Sequence, residues 1–263
     1  MPQAVIQGVR IFYKDVGSGM PLLLVPGFGA DSMAFNPVLP DLRKRVRVIA
    51  PDPRGLGRSG DANGPLSTRQ LAEDIRGLLD HLEIPRVAIL GASMGALVVR
   101  RFAALCPDRV SRVILCTAGR GDEPYARRVR HLLRSLVKGA KPDDLMAHLL
   151  TLILSPKFID DHEEWVRDLA RFLRPNERTL RVMERQLEMM EAEAGEEMGP
   201  LHAPVLILAG AQDRLVPRHH AEALHRSIPG SRLVVLDQAA HHPFLEARDA
   251  GLEAVMAFLE EGR

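Results

Sequence analysis

Five residues, Gly91-Ala92-Ser93-Met94-Gly95, stand between a continuous apolar run, Val87-Ala88-Ile89-Leu90, and an apolar-periodic stretch, Met94 to Leu105, that stops before Pro107. The run has the length of a strand buried on both faces, and the stretch reads as a helix. A chain that passes from a buried strand into a helix within so few residues must turn sharply. Its central serine is held at strained backbone angles, and side chains two positions away on either side would clash. The glycines at 91 and 95 answer that requirement. Ser93 so placed sits at a helix N-terminus, where the dipole favours developing negative charge. Strand, Gly-x-Ser-x-Gly and helix in this order mark a serine presented as a nucleophile.

The same rhythm runs along most of the chain. Residues 9–14 alternate like a strand with one wet face, and Gly17-Ser18-Gly19 is a turn. Strands are predicted at Leu22–Val25, Val46–Ala50, Val110–Cys116, Val205–Leu208 and Leu233–Leu236. Helices are predicted over Ser67–Leu82 with Thr68 as cap, from about Pro217 with the proline in its first turn, and over Arg248–Glu260. Apolar strands alternating with amphipathic helices argue for a mainly parallel sheet with helices on both faces. Residues 119–200 break the pattern and contain no evident strand. Four helices are expected there, around Leu132–Val137, Leu145–Leu152, Trp165–Leu173 and Leu180–Met190. The expected organisation is a core of 1–118 and 203–263 with a helical insertion at 119–202. Charge within the insertion is segregated. Arg120, Arg127, Arg128, Arg130, Arg134, Lys138 and Lys141 lie in its first part, and Glu184, Glu188, Glu191, Glu193, Glu196 and Glu197 in its last. Solvated helix faces that attract one another are the plain reading, and a basic rim that steers anionic substrates is the functional one.

Composition removes several classes. In 263 residues, Lys plus Arg is 35 and Asp plus Glu is 34, a net charge of +1, so no basic excess points to nucleic acid. No polybasic block or stretch of 18 apolar residues points to a membrane. Cys106 and Cys116 are too few for a disulfide framework, and the N-terminus lacks the features of a signal peptide. A soluble cytoplasmic protein is expected.

A serine nucleophile needs a base, and the base needs an orienting acid. Asp213 follows the strand that ends at Ala209-Gly210, and the His241-His242 pair follows the strand ending at Leu236. Strand ends on one edge of a parallel sheet converge where sites form. The chain order Ser93, Asp, His suits this arrangement, and either histidine of the pair is a candidate base. His219, His220 and His225 read as solvated helix residues, because no carboxylate or cysteine completes a metal-ligand spacing. Oxyanion stabilisation needs two donors aimed at one point. Met94 offers its backbone N–H, and the loop Pro26-Gly27-Phe28-Gly29 offers that of Phe28.

Together these pieces resemble the α/β-hydrolase superfamily over nearly the whole chain. The match rests on Pro26-Gly27-Phe28-Gly29, Asp52-Pro53-Arg54-Gly55-Leu56-Gly57-Arg58-Ser59, Gly91-Ala92-Ser93-Met94-Gly95, Asp213 before Val216-Pro217, and Ala240-His241-His242-Pro243 with Glu246. The resemblance implies an α/β-hydrolase fold, with a mostly parallel central sheet and a helical cap. The family's Gly-His-x-Pro pattern maps onto 240–243 and selects His241 as base. The turn at 52–59 corresponds to a structural turn of the family. Two positions depart from the pattern. Pro26 stands where the family often has a histidine that supports the oxyanion loop, and Ala240 stands where a glycine is usual.

The resemblance implies a serine esterase or lactonase similar to carboxylesterases and 3-oxoadipate enol-lactonase. Such an enzyme acts on a small molecule with an acyl carbonyl and needs no metal or organic cofactor. Phe28, Met94 and the Leu, Met and Phe residues of the cap, Met183, Met189, Met190 and Met198 among them, would wall an apolar pocket. The methionines equally suit helix packing. Thioester or carbon–carbon bond hydrolysis, a cofactor-free haloperoxidase or perhydrolase activity, and a slowly turning-over receptor are the alternative readings.

Overall fold

The computed structural model of the chain describes residues 2–60, 64–196 and 199–261, and Glu197 and Met198 lie outside these described residues. In its first half the elements are β1 (Gln3–Ile6), β2 (Val9–Val16), β3 (Pro21–Val25), α1 (Leu39–Leu42), β4 (Arg47–Pro51), α2 (Thr68–His81), β5 (Val87–Ala92), α3 (Met94–Leu105) and β6 (Val110–Cys116). Five helices follow: α4 (Pro124–Gly139), α5 (Pro142–Ile153), α6 (Pro156–Asp161), α7 (Glu163–Phe172) and α8 (Glu177–Ala192). The chain then returns through β7 (Val205–Gly210), α9 (Arg218–Ser227), β8 (Arg232–Leu236), α10 (Pro243–Glu246) and α11 (Arg248–Glu260).

Among the described residues, eight strands form one sheet in the order β1-β2-β4-β3-β5-β6-β7-β8. β1, β2 and β4 pair antiparallel, and every neighbour from β4 to β8 is parallel. The continuous apolar runs are explained by two-sided burial. Along β3, Leu23 and Val25 face the core that holds α2, α3 and α9, whereas Leu22 and Leu24 face the core that holds α11. Ile89 and Leu90 of β5 divide the same way. A strand with both faces covered has no position left for a polar residue, so alternation disappears from its sequence.

Several local readings need correction. Ser67, not Thr68, caps α2: its extended backbone lets Oγ accept the Gln70 N–H at 3.0 Å. Thr68 is the first helical residue, and its N–H donates to Glu193 Oε1 at 2.8 Å. Pro217 is the cap residue of α9, which begins at Arg218, so the proline lies just outside the first turn. Five helices rather than four occupy 124–192, because the six-residue α6 is too short to display a period. The strand β1 was not expected; it is four residues long and covers one edge of β2.

The turn at 52–59 is held by buried polar groups. Asp52 Oδ1 accepts from the Ser32 N–H at 3.0 Å, and Oδ2 from the Arg58 N–H at 2.9 Å. Arg54 makes a two-pronged, buried pair with Asp74 of α2, with Nε to Oδ2 at 2.6 Å. No helix among the described residues is long and apolar enough to cross a membrane.

The two glycines of the strand-to-helix turn are sterically required. A Cβ at Gly91 would lie 2.5 Å from Gly95 O, and one at Gly95 would lie 2.4 Å from Val25 O and 2.5 Å from Pro26 O. Those neighbours are backbone atoms and cannot step aside. Gly95→Ala is therefore expected to destabilise by roughly 1–3 kcal/mol or more. Gly139→Ala, at the end of α4 with open space around its Cα, should be neutral or gain up to about 1 kcal/mol. Urea denaturation of the two variants checks the contrast, and equal effects would contradict the steric account.

Candidate active site

At the carboxyl edge of the sheet, β5 ends in the turn that carries Ser93. Its φ of 53° and ψ of −120° lie outside the regions that non-glycine residues favour. The strain is held by the Ser93 N–H, which donates to Cys116 O at the end of β6 (2.8 Å). Cys116 is buried, and desolvation pushes its thiol up to about 12, so it is not a competing nucleophile.

The loop after β7 delivers Asp213, whose side chain is 1% exposed. Its Oδ1 accepts the N–H groups of Leu215 and Val216, both at 2.8 Å. Its Oδ2 lies 2.7 Å from His241 Nδ1. Three hydrogen bonds thus compensate for removing the carboxylate from water. The loop after β8 delivers His241, and its Nε2 lies 2.9 Å from Ser93 Oγ. Ser93, His241 and Asp213, 148 and 28 residues apart in their pairs, form one hydrogen-bonded chain. The neighbouring His242 is not part of it. Desolvation pushes His242 down to about 4, with His241 adding repulsion, so its ring is neutral near pH 7.

The loop Pro26–Gly29 lies against the serine. A Cβ built on Gly27 would be 3.2 Å from Ser93 Cβ and 3.8 Å from Oγ. Phe28 and Met94, the two residues proposed from sequence as donors, follow Gly27 and Ser93 directly in the chain. Neither backbone N–H donates to a protein acceptor among the described residues. Met94 N–H is one of the unpaired amides at the start of α3.

Connections from α4–α8 to these loops were invisible in the sequence. His241 N–H donates to Ile153 O at the end of α5 (2.9 Å). Glu246 spans the same seam, accepting from Ala240 N–H at 3.1 Å and Ser155 N–H at 2.7 Å. Arg214, next to Asp213, donates to Thr151 O and Leu154 O at 2.6 and 2.7 Å. Gln186 of α8 accepts the Gly29 N–H at 2.8 Å. Glu246 carried a motif signal without a role. Arg214 carried no signal and Gln186 only that of a polar residue in an apolar stripe, because their partners are backbone atoms distant in the chain.

Among the described residues, no group of three or more His, Cys, Asp or Glu is arranged to hold a metal ion. His220 differs from its expected solvated position. It is 4% exposed and meets Tyr125 edge-on with ring centroids 5.9 Å apart, and burial lowers its pKa. His225 Nδ1 is 2.8 Å from Ser231 Oγ. The segregated charges of the inserted helices meet each other, as in the Arg134–Glu191 pair at 2.6 Å between α4 and α8. Arg130 is buried, with Nη1 donating to Gly121 O at 3.0 Å. Met183 lies in the α4–α5–α8 cluster, Met189 lies in the main core, and Met190 packs against both.

Comparison with known proteins agrees with this architecture. The family model for the alpha/beta hydrolase fold matches residues 20–248. A pimeloyl-[acyl-carrier protein] methyl ester esterase of Neisseria meningitidis is 30% identical over 91% of this chain and 92% of its own. The structure of a thermophilic esterase from Thermogutta terrifontis superimposes with a TM-score of 0.86 at 27% identity, covering 99% of this chain and 98% of that one. The enol-lactonase of Burkholderia xenovorans does so with a TM-score of 0.86 at 26% identity, covering 99% and 100%. With the family model spanning most of its length, this chain belongs to the α/β-hydrolase family.

Proposed function

We propose that this protein is a serine hydrolase that cleaves a carboxylic ester or lactone through Ser93, His241 and Asp213. The observation that carries the reading is the unbroken path from Asp213 Oδ2 through the His241 ring to Ser93 Oγ, with spans of 2.7 and 2.9 Å. In this mechanism His241 Nε2 takes the hydroxyl proton as Oγ attacks the acyl carbonyl carbon. Asp213 accepts the Nδ1–H, fixes the tautomer and stabilises the imidazolium. The carbonyl oxygen gains its charge beside the N–H groups of Phe28 and Met94. His241 then returns the proton to the leaving alcohol oxygen. Water, deprotonated by the same nitrogen, attacks the acyl carbon; the bond to Oγ breaks, His241 returns the proton to Ser93 Oγ, and the carboxylic acid is released. Each step uses only side-chain and backbone groups of this chain.

Relatives named as esterases and as an enol-lactonase support ester or lactone as the bond broken. A lactone is a cyclic ester, so the same steps apply to it. In this reading α4–α8 form a cap over a core made of residues 1–118 and 203–263. Phe28 packs on the cap cluster of Leu133, Val137, Leu145, Leu149, Met183 and Leu187. The acyl or ring portion of the substrate therefore meets an apolar wall.

Hydrolysis of p-nitrophenyl esters from acetyl to dodecanoyl tests the reading. Ser93→Ala and His241→Ala are each expected to lower kcat by about 10⁴–10⁶, and His242→Gln by far less. Equal losses at the two histidines would contradict the assignment of the base. His242 also has a stability signature. Its folded pKa of about 4 lies below the ordinary 6.5, so between these values the unfolded chain binds a proton that the folded one refuses. Its contribution is whole above pH 6.5, falls as pH drops, and levels off below 4. Replacing it with Gln should flatten the pH dependence of unfolding across that window, and an unchanged slope would refute the depressed pKa.

A further inference from the structure

Among the described residues of α8, the buried ones are Val182, Met183, Gln186, Leu187 and Met189, so Gln186 is the single polar member of an apolar face. Its exposure is 1%. Leucine or methionine would fill such a position with no polar group to compensate. A carboxamide there is tolerated when it is hydrogen-bonded, and Gln186 Oε1 accepts the Gly29 N–H at 2.8 Å.

That bond falls at a sensitive place. Gly29 follows Phe28, whose N–H is one of the two donors proposed for the oxyanion. Fixing the peptide between residues 28 and 29 limits rotation on one side of the Phe28 N–H. Pro26, on the other side, has no N–H to anchor and no side-chain hydrogen bond to offer. Within the loop, the backbone contributes one long bond, Ala30 N–H to Gly27 O at 3.3 Å. Met183, one turn before Gln186, lies against Gly29, where an added Cβ would be 3.1 Å from its Cε. The loop is therefore held from above by α8, across 157 residues of sequence.

We propose that Gln186 is a positioning residue for the oxyanion site: by holding the Gly29 peptide it aims the Phe28 N–H, and docking of the inserted helices thereby completes the catalytic apparatus. This rests on the serine-hydrolase reading. Gln186 acts through the loop and needs no contact with substrate. A change there should alter the chemical step more than the binding of substrate.

The test uses a fluorophosphonate, whose reaction needs no knowledge of the natural substrate. Ser93 Oγ bonds to phosphorus, the P–F bond breaks, fluoride leaves, and the serine proton passes to His241. The P=O oxygen occupies the oxyanion position. Gln186→Met keeps length and removes the acceptor. The maximal rate of Ser93 modification is expected to fall on the order of 10- to 100-fold, with the half-saturating concentration changed less than about threefold. A change confined to half-saturation or to thermal stability, with the maximal rate intact, would overturn the proposal and identify Gln186 as a packing residue. Failure of the wild-type protein to be modified at Ser93 would instead refute the serine-hydrolase reading. Should the variant not fold, amide hydrogen exchange of the wild-type protein decides: Gly29 is expected to be protected like a buried hydrogen-bonded amide, and exchange at the rate of an open loop overturns the proposal.

Discussion

The carbonyl oxygens of Val25 and Pro26 occupy the space where a Cβ at residue 95 would have to be. That close approach of backbone to backbone joins the end of β3 to the first turn of α3. It brings the loop Pro26–Gly29 beside Ser93 and lets the Ser93 peptide reach Cys116 O of β6. The strained backbone of Ser93 is thus over-determined by three neighbouring strands, β3, β5 and β6, at the centre of the sheet. A serine hydroxyl held this firmly loses little further freedom when it meets its base.

The remaining site groups arrive on loops, and loops need ties. Asp213 is secured locally, through two backbone N–H groups just downstream. His241 is secured by the end of α5 and the residues just after it. Its own N–H reaches Ile153 O, and Glu246 links Ala240 to Ser155. Arg214 places a cation at the carbonyl end of α5, where the helix dipole favours it. Bonds of this kind contribute about 1 kcal/mol each, more when charged. Helices α4–α8 are therefore tied to the site loops as well as to one another. They bond to the loops that hold both the histidine and the phenylalanine of the proposed mechanism.

Much of this was legible in residue order. The strands buried on both faces announced themselves as unbroken apolar runs, and the glycines around Ser93 announced a sharp turn. Ser93, Asp213 and the His241-His242 pair were singled out because each follows a strand on the same sheet edge, and the resemblance to the family's Gly-His-x-Pro pattern chose His241 between the two histidines. What escaped had a physical reason. The four residues of β1 and the six of α6 are too few to establish a period. Two adjacent hydroxyl residues, Ser67 and Thr68, are equivalent as caps until the backbone angle of one is known. Burial of His220 comes from packing against Tyr125, 95 positions earlier, on a helix whose other histidines are more open. Gln186 left one trace, a polar residue in an apolar stripe. Its partner could not be named from sequence, because a backbone N–H has no side-chain identity to search for.

The measurement that bears most directly on the account is mass mapping of the protein after exposure to a fluorophosphonate, in wild type and in Ser93→Ala. A single adduct on the peptide that contains Ser93, absent from the variant, is the result the account requires. An adduct elsewhere, or one that persists in Ser93→Ala, would contradict the claim that the turn between β5 and α3 presents the nucleophile.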